Sequence, residues 1–450
     1  MPLLHIGFDD TDSRQGMCTT YLAYKVVNFL LKRNARFVDY PLLIRLNPNI
    51  PWKTRGNGAV ALRVEVDDKS NVMDGIRTIV ENNSHIGNGA NPGLVFYSGE
   101  HIPADVREFA SNALYDVMSR NKAKEIASKH GIRTFALGNG QGIVGALSAI
   151  GTMLKDHTFE IISYRKLENC GAMREIGKEN VITMAKRTFP NTYNNYDYSH
   201  DRILITPRGP DPIFCGIRGE DPDTLLQAFF MLNIPEKLDG YMIFRTNHGT
   251  NMHLTHEFDL TTLKAYTSGY VRGVIASEPY AIKGGHAFFM LRTEHGSALC
   301  AVYEPTGLSQ LAQKLGVGDV IEIGGGVRKA TSKHPKVVNV EYFRILHVAP
   351  KFSYMNPLCK KCGKRLKSDG KEKGYKCEKC GVKERSAQKI VIEIRREIKE
   401  GLYIPVPKAH RHLTKPLQRY GMEKNGYEHV LNPNWYCNFV SENLSQVRFV

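Results

Sequence analysis

Four cysteines near the carboxyl end of the chain constrain its fold more than any other feature. They form two Cys-x-x-Cys pairs, Cys359-Lys-Lys-Cys362 and Cys377-Glu-Lys-Cys380, with 14 residues between the pairs. Two hairpin tips with this spacing bring four thiolates around one tetrahedral zinc ion, and a shell made only of cysteine leaves no coordination position for a substrate. Two redox-active couples are the alternative, but matched pairs in a lysine-rich hairpin favour zinc. The pattern therefore predicts a structural zinc ribbon.

The remaining cysteines indicate a reducing compartment. Cys18, Cys170, Cys215, Cys300 and Cys437 are scattered and odd in number, which is not the pattern of a disulfide framework. No apolar run approaches the ~18 residues that a membrane span requires, and the first residues lack the pattern of a signal peptide. We therefore expect a cytoplasmic protein with no membrane association.

Positive charge is concentrated at the same end of the chain. Residues 351–450 contain 22 Lys and Arg against 10 Asp and Glu, so they contribute 12 of the net +16 charges of the 450-residue chain. Clustered cations bind phosphates and displace condensed counterions, which favours a nucleic-acid-binding region over a surface that is merely solvated. Histidine and tyrosine rings between the cations of the tail would stack on unpaired bases. The candidate contacts are Lys361, Lys364 and Arg365 beside the cysteines and Arg411, Lys415 and Arg419 in the tail.

Strand-like and helix-like patterns alternate before the basic region. Within residues 1–150, the runs LLHIGF, GAVALRVEV and NPGLVFYSG alternate with the helical patterns YLAYKVVNFLLKRN and ADVREFASNALYDVMSRNKAKEIASKHG, which predicts α/β or α+β organisation. A polar, turn-rich segment at 187–199 is predicted to be a linker or long loop. The strand, helix and strand patterns ILITPRG, DPDTLLQAFFMLN and YMIFRTNHG then suit a small ferredoxin-like sandwich.

Residues 266–348 have a different pattern. Five short strand-like runs, YVRGVIAS, AFFMLRT, ALCAVYEP, VIEIGGGV and VVNVEYFRIL, are separated by turns that contain glycine. The helix-like piece GLSQLAQKLG precedes the fourth run. Five strands with one helix near the middle are typical of an oligonucleotide-binding (OB) β-barrel.

Three carboxylates crowd the junction between the first strand-like run and the first helix-like run. Asp9, Asp10 and Asp12 fall within FDDTDS, ahead of CTTYLAYKVVNFLLK. Carboxylates this close repel one another by roughly 1 kcal/mol or more per pair at intermediate dielectric, and a divalent cation relieves that repulsion. Helix capping is the alternative, and it accounts for one aspartate more easily than for three. Since Mg2+ is held by one or two carboxylates together with phosphate oxygens, the cluster favours a metal–nucleotide site.

Glycine-rich segments are candidate phosphate cradles. Arg55, Asn57 and Gly58, in the segment RGNG, are the candidate nucleotide contacts, and a GNG segment follows at 87–89. Gly138–Gly145 contains GxGxxG, the pattern of dinucleotide-binding turns, although a turn with tight helix packing explains it equally well. The absence of GxxxxGK[ST] from the sequence argues against an ordinary P-loop ATPase.

Together these features resemble the archaeal tRNA(Ile) 2-agmatinylcytidine synthetase family. The resemblance rests on GFDDTDSRQGMCTTYLA at the amino end and on TPRGPDPIFCGIRGE and RTNHGTNMHL in the middle. The barrel-like segment, the four-cysteine hairpin and the PKAHRHLTKPLQR tail follow in the same order as in the family. The amino-terminal motif and the order of the parts are specific, whereas zinc ribbons and barrels taken singly are not.

The resemblance implies an ATP-dependent ligase that modifies tRNA. In that family agmatine replaces the C2 carbonyl oxygen of the wobble cytidine of tRNA(Ile) with a CAU anticodon, so that decoding changes from AUG to AUA. Phosphorylation turns the C2 oxygen into a good leaving group, and phosphoryl transfer depends mainly on positioning and charge neutralisation. The base must leave its stack, which is easiest in an anticodon loop. The implied cofactors are ATP, Mg2+ and Zn2+, and the implied partners are agmatine and that tRNA, with no obligate protein partner evident.

The resemblance also implies roles for individual residues. The three aspartates of FDDTDS are expected to be catalytic and to hold Mg2+ on the triphosphate. The threonine after the cysteine of the family motif, Thr19 here, is the expected site of transient phosphorylation, and Thr20 is adjacent to it. The guanidinium of agmatine requires a carboxylate or carbonyl pocket, for which Asp211 in RGPDP is the candidate.

The implied fold class is multidomain α+β with four parts. We expect residues 1–160 to form an unusual kinase-like α/β domain that binds ATP and magnesium without a P-loop. Residues 161–264 are expected to form a ferredoxin-like domain, and residues 265–350 an OB-fold β-barrel. Residues 351–450 are expected to form the four-cysteine zinc ribbon with a basic helical tail. The last two parts would bind tRNA.

Two other functions explain part of the sequence. A single-stranded nucleic-acid-binding protein built from the barrel and the zinc ribbon leaves about 260 amino-terminal residues and their acidic cluster unexplained. A small-molecule kinase or nucleotide-dependent ligase would carry the basic tail only as an aid to solubility. ATP consumption that depends on RNA would exclude the first, and activity that survives deletion of residues 351–450 would favour the second.

Overall fold

An eleven-stranded sheet forms the body of the protein in this computed structural model, which describes residues 2–426 and 430–439. The first strand lies between the fourth and the fifth and is buried on both faces, which explains its continuous apolar run. The strands of the amino-terminal unit are β1 (Leu3–Asp9), β2 (Arg36–Phe37), β3 (Leu42–Arg45), β4 (Gly58–Glu65), β5 (Gly93–Tyr97) and β6 (Arg133–Ala136). Its helices are α1 (Thr19–Leu31), α2 (Lys69–Asn83), α3 (Ala104–Asn112), α4 (Arg120–Lys129) and α5 (Gly142–Gly151).

A second unit continues the same sheet. Its elements are β7 (Thr158–Arg165), α6 (Lys178–Arg187), β8 (Thr192–Tyr193), β9 (Tyr196–Asp197), β10 (Arg202–Ile203), β11 (Ile213–Gly219), α7 (Pro222–Phe230) and β12 (Leu238–Thr246). β12 pairs in parallel with β3, with Arg245 opposite Leu42, so the strand order is β6-β5-β1-β4-β3-β12-β7-β11-β8. One hydrophobic core, which includes Phe8 and Phe244, spans both units. The domain boundary predicted at residue 160 therefore lies inside β7.

The five strand-like runs that follow form a closed barrel. Its elements are β13 (Ser268–Ile275), β14 (Tyr280–Ala281), β15 (Ala287–Arg292), β16 (Ser297–Val302), α8 (Ser309–Ala312), β17 (Val320–Arg328) and β18 (Val337–His347). The order is β13-β17-β18-β16-β15, and β15 pairs back to β13. Phe289 and Phe343 are fully buried inside it. The predicted barrel, with its short helix before the fourth long strand, is confirmed.

The zinc ribbon and the tail complete the described structure. Their strands are β19 (Lys351–Met355), β20 (Lys367–Ser368), β21 (Tyr375–Lys376), β22 (Lys383–Glu384), β23 (Ile390–Ile394), β24 (Gly401–Tyr403) and β25 (Tyr436–Asn438). β19 and β23 form a two-stranded connection between the barrel and the ribbon, while β24 pairs with β18 and β25 with β12. The prediction of a helical tail is wrong for its described residues, which contain two short 3-10 turns and no α-helix. Pro405, Pro407 and Pro416 interrupt the tail, because proline lacks the amide that a helix interior requires.

Three local predictions are also corrected. The long helical pattern after the third strand-like run forms two helices, because Ser119 caps α4 by accepting a hydrogen bond from the backbone of Lys122. The predicted strand ILITPRG contributes only Ile203 to β10, and IFCGIRG forms the strand instead. The segment predicted to be a loop at 187–199 contains the short strands β8 and β9. Among the described residues, no helix has the length and apolar character needed to span a membrane.

Candidate active site

The three aspartates lie where β1 ends. Asp9 is the last residue of the strand, and Asp10 has a left-handed backbone conformation with φ of 58°. Helix α5 packs so closely here that a Cβ on Gly145 would lie 1.9 Å from Oδ2 of Asp9. The GxGxxG segment that precedes and enters α5 therefore provides tight helix packing against β1, which is one of the two interpretations of that pattern.

Burial and mutual repulsion raise the pKa values of these carboxyls. The pKa of Asp9 rises to about 8 because the group is buried and Asp10 is close. The pKa values of Asp10 and Asp12 each rise to about 6, chiefly through burial. A bound cation favours ionised carboxylates and would reverse these shifts. The donor chemistry of the cluster thus fits Mg2+, with phosphate oxygens as further ligands.

The aspartates line a cavity of about 580 Å³, which we name the aspartate chamber. Thr19 and Thr20, at the start of α1, line it as well and are both buried. The hydroxyl of Thr11 donates to Oγ1 of Thr19 over 3.1 Å, and the thiol of Cys18 lies 3.1 Å from Oγ1 of Thr20. Both adjacent threonines therefore border the same space as the three carboxylates.

Arg55 and Asp211 meet in the same chamber. Nε of Arg55 lies 3.6 Å from Oδ2 of Asp12, and its Nη1 lies 3.1 Å from Oδ2 of Asp211. Arg174 approaches the other oxygen of Asp211, with Nη2 at 3.1 Å from Oδ1. The candidate nucleotide-binding arginine and the candidate agmatine-binding carboxylate are neighbours. A ligand guanidinium on Asp211 would have to replace that of Arg55 or share the carboxylate with it.

The glycine-rich segment around Arg55 shapes the chamber wall. Asn57 has a left-handed backbone with φ of 50°, and its side-chain amide donates to the carbonyl oxygen of Asn47 over 2.9 Å. A Cβ on Gly58 would lie 2.6 Å from Nη1 of Arg45, so glycine leaves room for that guanidinium. Asn57 and Gly58 both line the chamber. The first holds the loop, and the second makes space for Arg45.

A buried charged network forms another wall, and no sequence motif predicts it. Glu160 in β7 accepts a hydrogen bond from Nε of Arg218 over 3.0 Å and lies 3.0 Å from Nδ1 of His248. Nε of Arg45 donates to Nε2 of His248 over 2.6 Å. Burial lowers the pKa of His248 to about 3, so the ring is neutral, and since Nε2 accepts from Arg45 the proton lies on Nδ1, which faces Glu160. Although burial opposes ionisation of Glu160, His248 and Arg218 hold its pKa well below the usual range.

His412 brings the carboxyl-terminal tail into this wall. Its ring stacks on that of His248 with 5.0 Å between centroids, and its Nδ1 accepts a hydrogen bond from Arg218 over 2.8 Å. The tail thereby completes a chamber built by the amino-terminal half of the chain. His248 and His412 lie in RTNHG and PKAHRHLTKPLQR, segments that carry the family resemblance, but only the fold brings them into contact.

Two tail cations that were predicted to contact nucleic acid are buried instead. Arg419 is fully buried, and its guanidinium lies 2.8 Å from Asp156 and 2.5 Å from Glu220. Lys415 is buried and paired with Glu423. Ion pairing offsets the desolvation of both cations and balances their charge within the protein, so their contact with nucleic acid stays a prediction.

The other four basic candidates remain accessible. Lys361, Lys364 and Arg365 are exposed beside the cysteines, and Lys364 is only loosely paired, 3.9 Å from Glu378. Arg411 is exposed while Nη1 lies 2.9 Å from Oε1 of Glu341 in the barrel. These side chains keep the access to solvent that a role in RNA binding requires.

The four cysteines come together as predicted. The Sγ atoms of Cys359, Cys362, Cys377 and Cys380 all lie within 4.8 Å of one another. Four thiols at this spacing fit one tetrahedral zinc ion in a closed structural site. In the part of the chain that the structure describes, no other group of three or more His, Cys, Asp or Glu residues brings its ligand atoms this close. The three aspartates would therefore share a metal with ligand oxygens and would not enclose it alone.

The fold and the site together define the class of protein. An α/β body holds a carboxylate-lined chamber, and a closed barrel and a zinc ribbon are attached to that body. This is a multidomain enzyme that carries accessory modules of the kind that bind nucleic acids.

Comparison with known proteins identifies the family. Family models described as the TiaS TCKD domain, the TiaS FLD domain and the TiaS C-terminal zinc ribbon domain match residues 5–67, 140–253 and 356–398. A tRNA(Ile) 2-agmatinylcytidine synthetase of Cenarchaeum symbiosum (strain A), named TiaS, is 44% identical over 418 residues. The match covers 93% of this chain and 93% of that protein.

Solved structures superimpose over the same length. The crystal structure of TiaS in complex with its isoleucine tRNA and ATP has a TM-score of 0.84 at 37% identity, covering 93% of this chain and 98% of that one. The complex of TiaS with the same tRNA, AMPCPP and agmatine has a TM-score of 0.82 at 35% identity, with coverage of 93% and 98%. The chain belongs to the tRNA(Ile) 2-agmatinylcytidine synthetase (TiaS) family, which confirms the resemblance seen in the sequence.

Proposed function

We propose that this chain attaches agmatine to the wobble cytidine of tRNA(Ile) with a CAU anticodon, in a reaction driven by ATP. The observation that carries the proposal is that Asp9, Asp10, Asp12 and Thr19 line one chamber. The family relation supports it, since relatives bear the name of this activity and solved relatives are complexes with an isoleucine tRNA, ATP or AMPCPP, and agmatine. The modified tRNA would decode AUA instead of AUG.

The proposed reaction exchanges bonds in two steps. In the first step a phosphoryl group of ATP passes to the C2 oxygen of the cytosine by way of a transient phosphate ester on Thr19. The primary amine of agmatine, in its neutral form, then attacks C2, and phosphate leaves with that oxygen. The first step requires charge neutralisation around the phosphates, and both steps require the base to leave its stack.

The residues of the aspartate chamber have proposed roles in the first step. Asp9, Asp10 and Asp12 would hold Mg2+, which supplies charge neutralisation on the triphosphate. Arg55 would contact the same phosphates, and its position 3.6 Å from Asp12 supports this role. Thr19 would be phosphorylated transiently, and its buried hydroxyl on the chamber wall supports this choice.

Asp211 is proposed to bind the guanidinium of agmatine. Its carboxylate already forms ion pairs with the guanidinium groups of Arg55 and Arg174, which supports this assignment. Asn57 and Gly58 are proposed to lie against the nucleotide, since both line the chamber. The amine of agmatine would then lie in the space between Asp211 and the target base.

The domain division predicted from the sequence is part of this proposal. Residues 1–160 would be the kinase-like domain and residues 161–264 the ferredoxin-like domain. The closed barrel within residues 265–350 supports an OB-fold, and the four converging cysteines within residues 351–450 support the zinc ribbon. A cytoplasmic location suits an enzyme of tRNA. Lys361, Lys364, Arg365 and Arg411 are the basic side chains proposed to contact the tRNA.

The position of the tail argues against the small-molecule kinase. That hypothesis treats the tail as an aid to solubility, whereas His412 lines the chamber and Arg419 is buried in the body. Deletion of residues 351–450 would therefore remove part of the chamber wall together with the zinc ribbon. The nucleic-acid-binding hypothesis leaves the chamber and its carboxylates without a role.

One incubation tests the proposed function directly. The chain is mixed with ATP, Mg2+, agmatine and an unmodified CAU-anticodon tRNA(Ile) transcript, and the nucleosides are then analysed by mass spectrometry. We expect a cytidine derivative with the mass of agmatine added and water removed. Reactions that lack agmatine or ATP are the controls, and a transcript with a changed anticodon base tests selectivity. Absence of the product from the complete mixture would refute the proposal.

A further inference from the structure

A second cavity adjoins the aspartate chamber and differs from it in charge. It encloses about 560 Å³, and we name it the basic chamber. Among the described residues that line it there is no Asp or Glu. Its cations include Arg45, Arg55 and Arg218, which it shares with the aspartate chamber, and Arg202, Lys408 and Arg411, which it does not.

Two of these cations lack a protein partner. In the part of the chain that the structure describes, the side chains of Arg202 and Lys408 make no hydrogen bond or ion pair. Arg411, in contrast, lies 2.9 Å from Glu341, and Arg218 lies 3.0 Å from Glu160. Unpaired cations in a cavity without carboxylates create a positive potential that attracts an anion.

The two unpaired cations are held beside each other by Asp197. Arg202 lies opposite Asp197 in the pairing of β10 with β9, and the backbone amide of Lys408 donates to Oδ2 of Asp197 over 3.2 Å. The Asp197 carboxylate is buried and also accepts hydrogen bonds from Ser199 and His200. The strand pairing with Asp197 positions the backbone of Arg202, and the hydrogen bond to its carboxylate positions that of Lys408, while neither contact neutralises a side-chain charge.

We infer that the basic chamber binds backbone phosphates of the RNA that flank the nucleoside placed in the aspartate chamber. This inference rests on the proposed function. The phosphates of the nucleotide belong with the carboxylates and their metal, so the adjoining chamber takes its anions from another source. A nucleoside that has left its stack carries a phosphate on each side, and single-stranded backbones follow cationic grooves. Arg45 and Arg218 border both cavities, so the two spaces adjoin.

A double variant with a matched control tests the inference. R202A/K408A removes the two unpaired cations, and R107A/K124A removes one arginine and one lysine from the exposed faces of α3 and α4. The dissociation constant of the CAU-anticodon tRNA(Ile) transcript is measured at several salt concentrations, and that of AMPCPP is measured without RNA. Each lost contact should weaken tRNA binding about tenfold. The slope of log K against log salt should become shallower by about 0.7 for each phosphate released.

Each outcome decides the inference. Weakened tRNA binding with a shallower slope, unchanged AMPCPP affinity and an unaffected R107A/K124A control supports it. Unchanged tRNA affinity and slope in R202A/K408A overturns it. A loss of AMPCPP affinity also overturns it, because the chamber would then hold the phosphates of the nucleotide. Product formation by the unaltered chain, measured in parallel, separates these results from failure of the proposed function, which would remove the inference as well.

Discussion

At the scale of single residues, the partners of a buried charge decide its role. Arg419 is buried against Asp156 and Glu220, so its charge is balanced within the fold. Asp9 is buried beside Asp10, a group of the same sign, and its pKa rises to about 8. Strongly shifted carboxyls in a cavity are typical of sites that await a ligand of opposite charge.

Asp10→Asn is expected to reduce agmatine attachment by about a hundredfold or more, the scale of losing one group that stabilises transition-state charge. tRNA affinity should remain nearly intact, because the substitution changes phosphate positioning and not RNA contacts. Nucleoside mass analysis and a tRNA titration measure the two effects. Asp74→Asn, on the exposed face of α2, is the control. Unchanged turnover in Asp10→Asn would exclude the metal role.

The same substitution should stabilise the metal-free chain at high pH. The carboxyl of Asp10 has an ordinary pKa of 3.8 and a pKa of about 6 in the fold. The folded state therefore binds the proton more tightly, and the carboxyl costs stability as pH rises through this window. Without Mg2+ or nucleotide, the melting temperature of Asp10→Asn should exceed that of the unaltered chain by about 2 °C at pH 8. The difference in melting temperature should disappear near pH 4. Equal melting temperatures at pH 8 would contradict a destabilising effect of the ionised Asp10 carboxylate.

At the scale of elements, the tail is an integral part of the body. β25 pairs with β12 in the central sheet, with Tyr241 opposite Cys437. His412 stacks on His248 at the chamber wall, and Arg419 anchors the segment between them. An irregular tail can hold such positions because its polar groups bond to the body and not to a helix of its own.

Arg419→Met is expected to destabilise the fold by about 3 kcal/mol, because Glu220 would remain buried and Asp156 partly buried without this cation. A thermal melt measures the change, and Arg187→Met, at the exposed end of α6, is the control. A variant that keeps its melting temperature but loses tRNA affinity would support the role in RNA binding that the sequence suggested.

At the scale of the whole molecule, the parts are joined to different degrees. The first two units share one sheet and one core, and the barrel is tied to them by hydrogen bonds such as that of Asn47 to the carbonyl of Tyr266 at 2.7 Å. The zinc ribbon lies between β19 and β23 in the chain and is attached to the barrel through the pairing of these two strands, whose apolar side chains are exposed. Its stability therefore depends on its own metal more than on the body.

Cys377→Ser should release zinc and weaken tRNA binding more than ATP binding. The reason is that the thiol is one of four ligands in a module that does not line the aspartate chamber, and small zinc modules unfold without their metal. Zinc content is measured by elemental analysis, and the two affinities by titration. Cys170→Ser, at a cysteine outside the cluster, is the control. A variant that retains zinc and binds tRNA normally would contradict this role for the module.

The sequence by itself determined the features that depend on local pattern. The spacing of the cysteines predicted four converging thiols, five short runs predicted the barrel, and FDDTDS predicted three carboxylates crowded at the end of a strand. These predictions succeed because hairpin spacing, strand periodicity and ligand type are set by residues close together in the chain. The order of the motifs likewise sufficed to recognise the family.

Only the tertiary structure decided which distant residues meet and which charges are buried. Glu160, His248 and His412 come from three separate segments, and no single motif predicts that they share a wall. Arg419 and Arg202 are both arginines in polar sequence, yet one is enclosed by carboxylates and the other faces an unneutralised cavity. Burial and charge pairing arise from long-range packing, so the nature of the residue alone does not fix them.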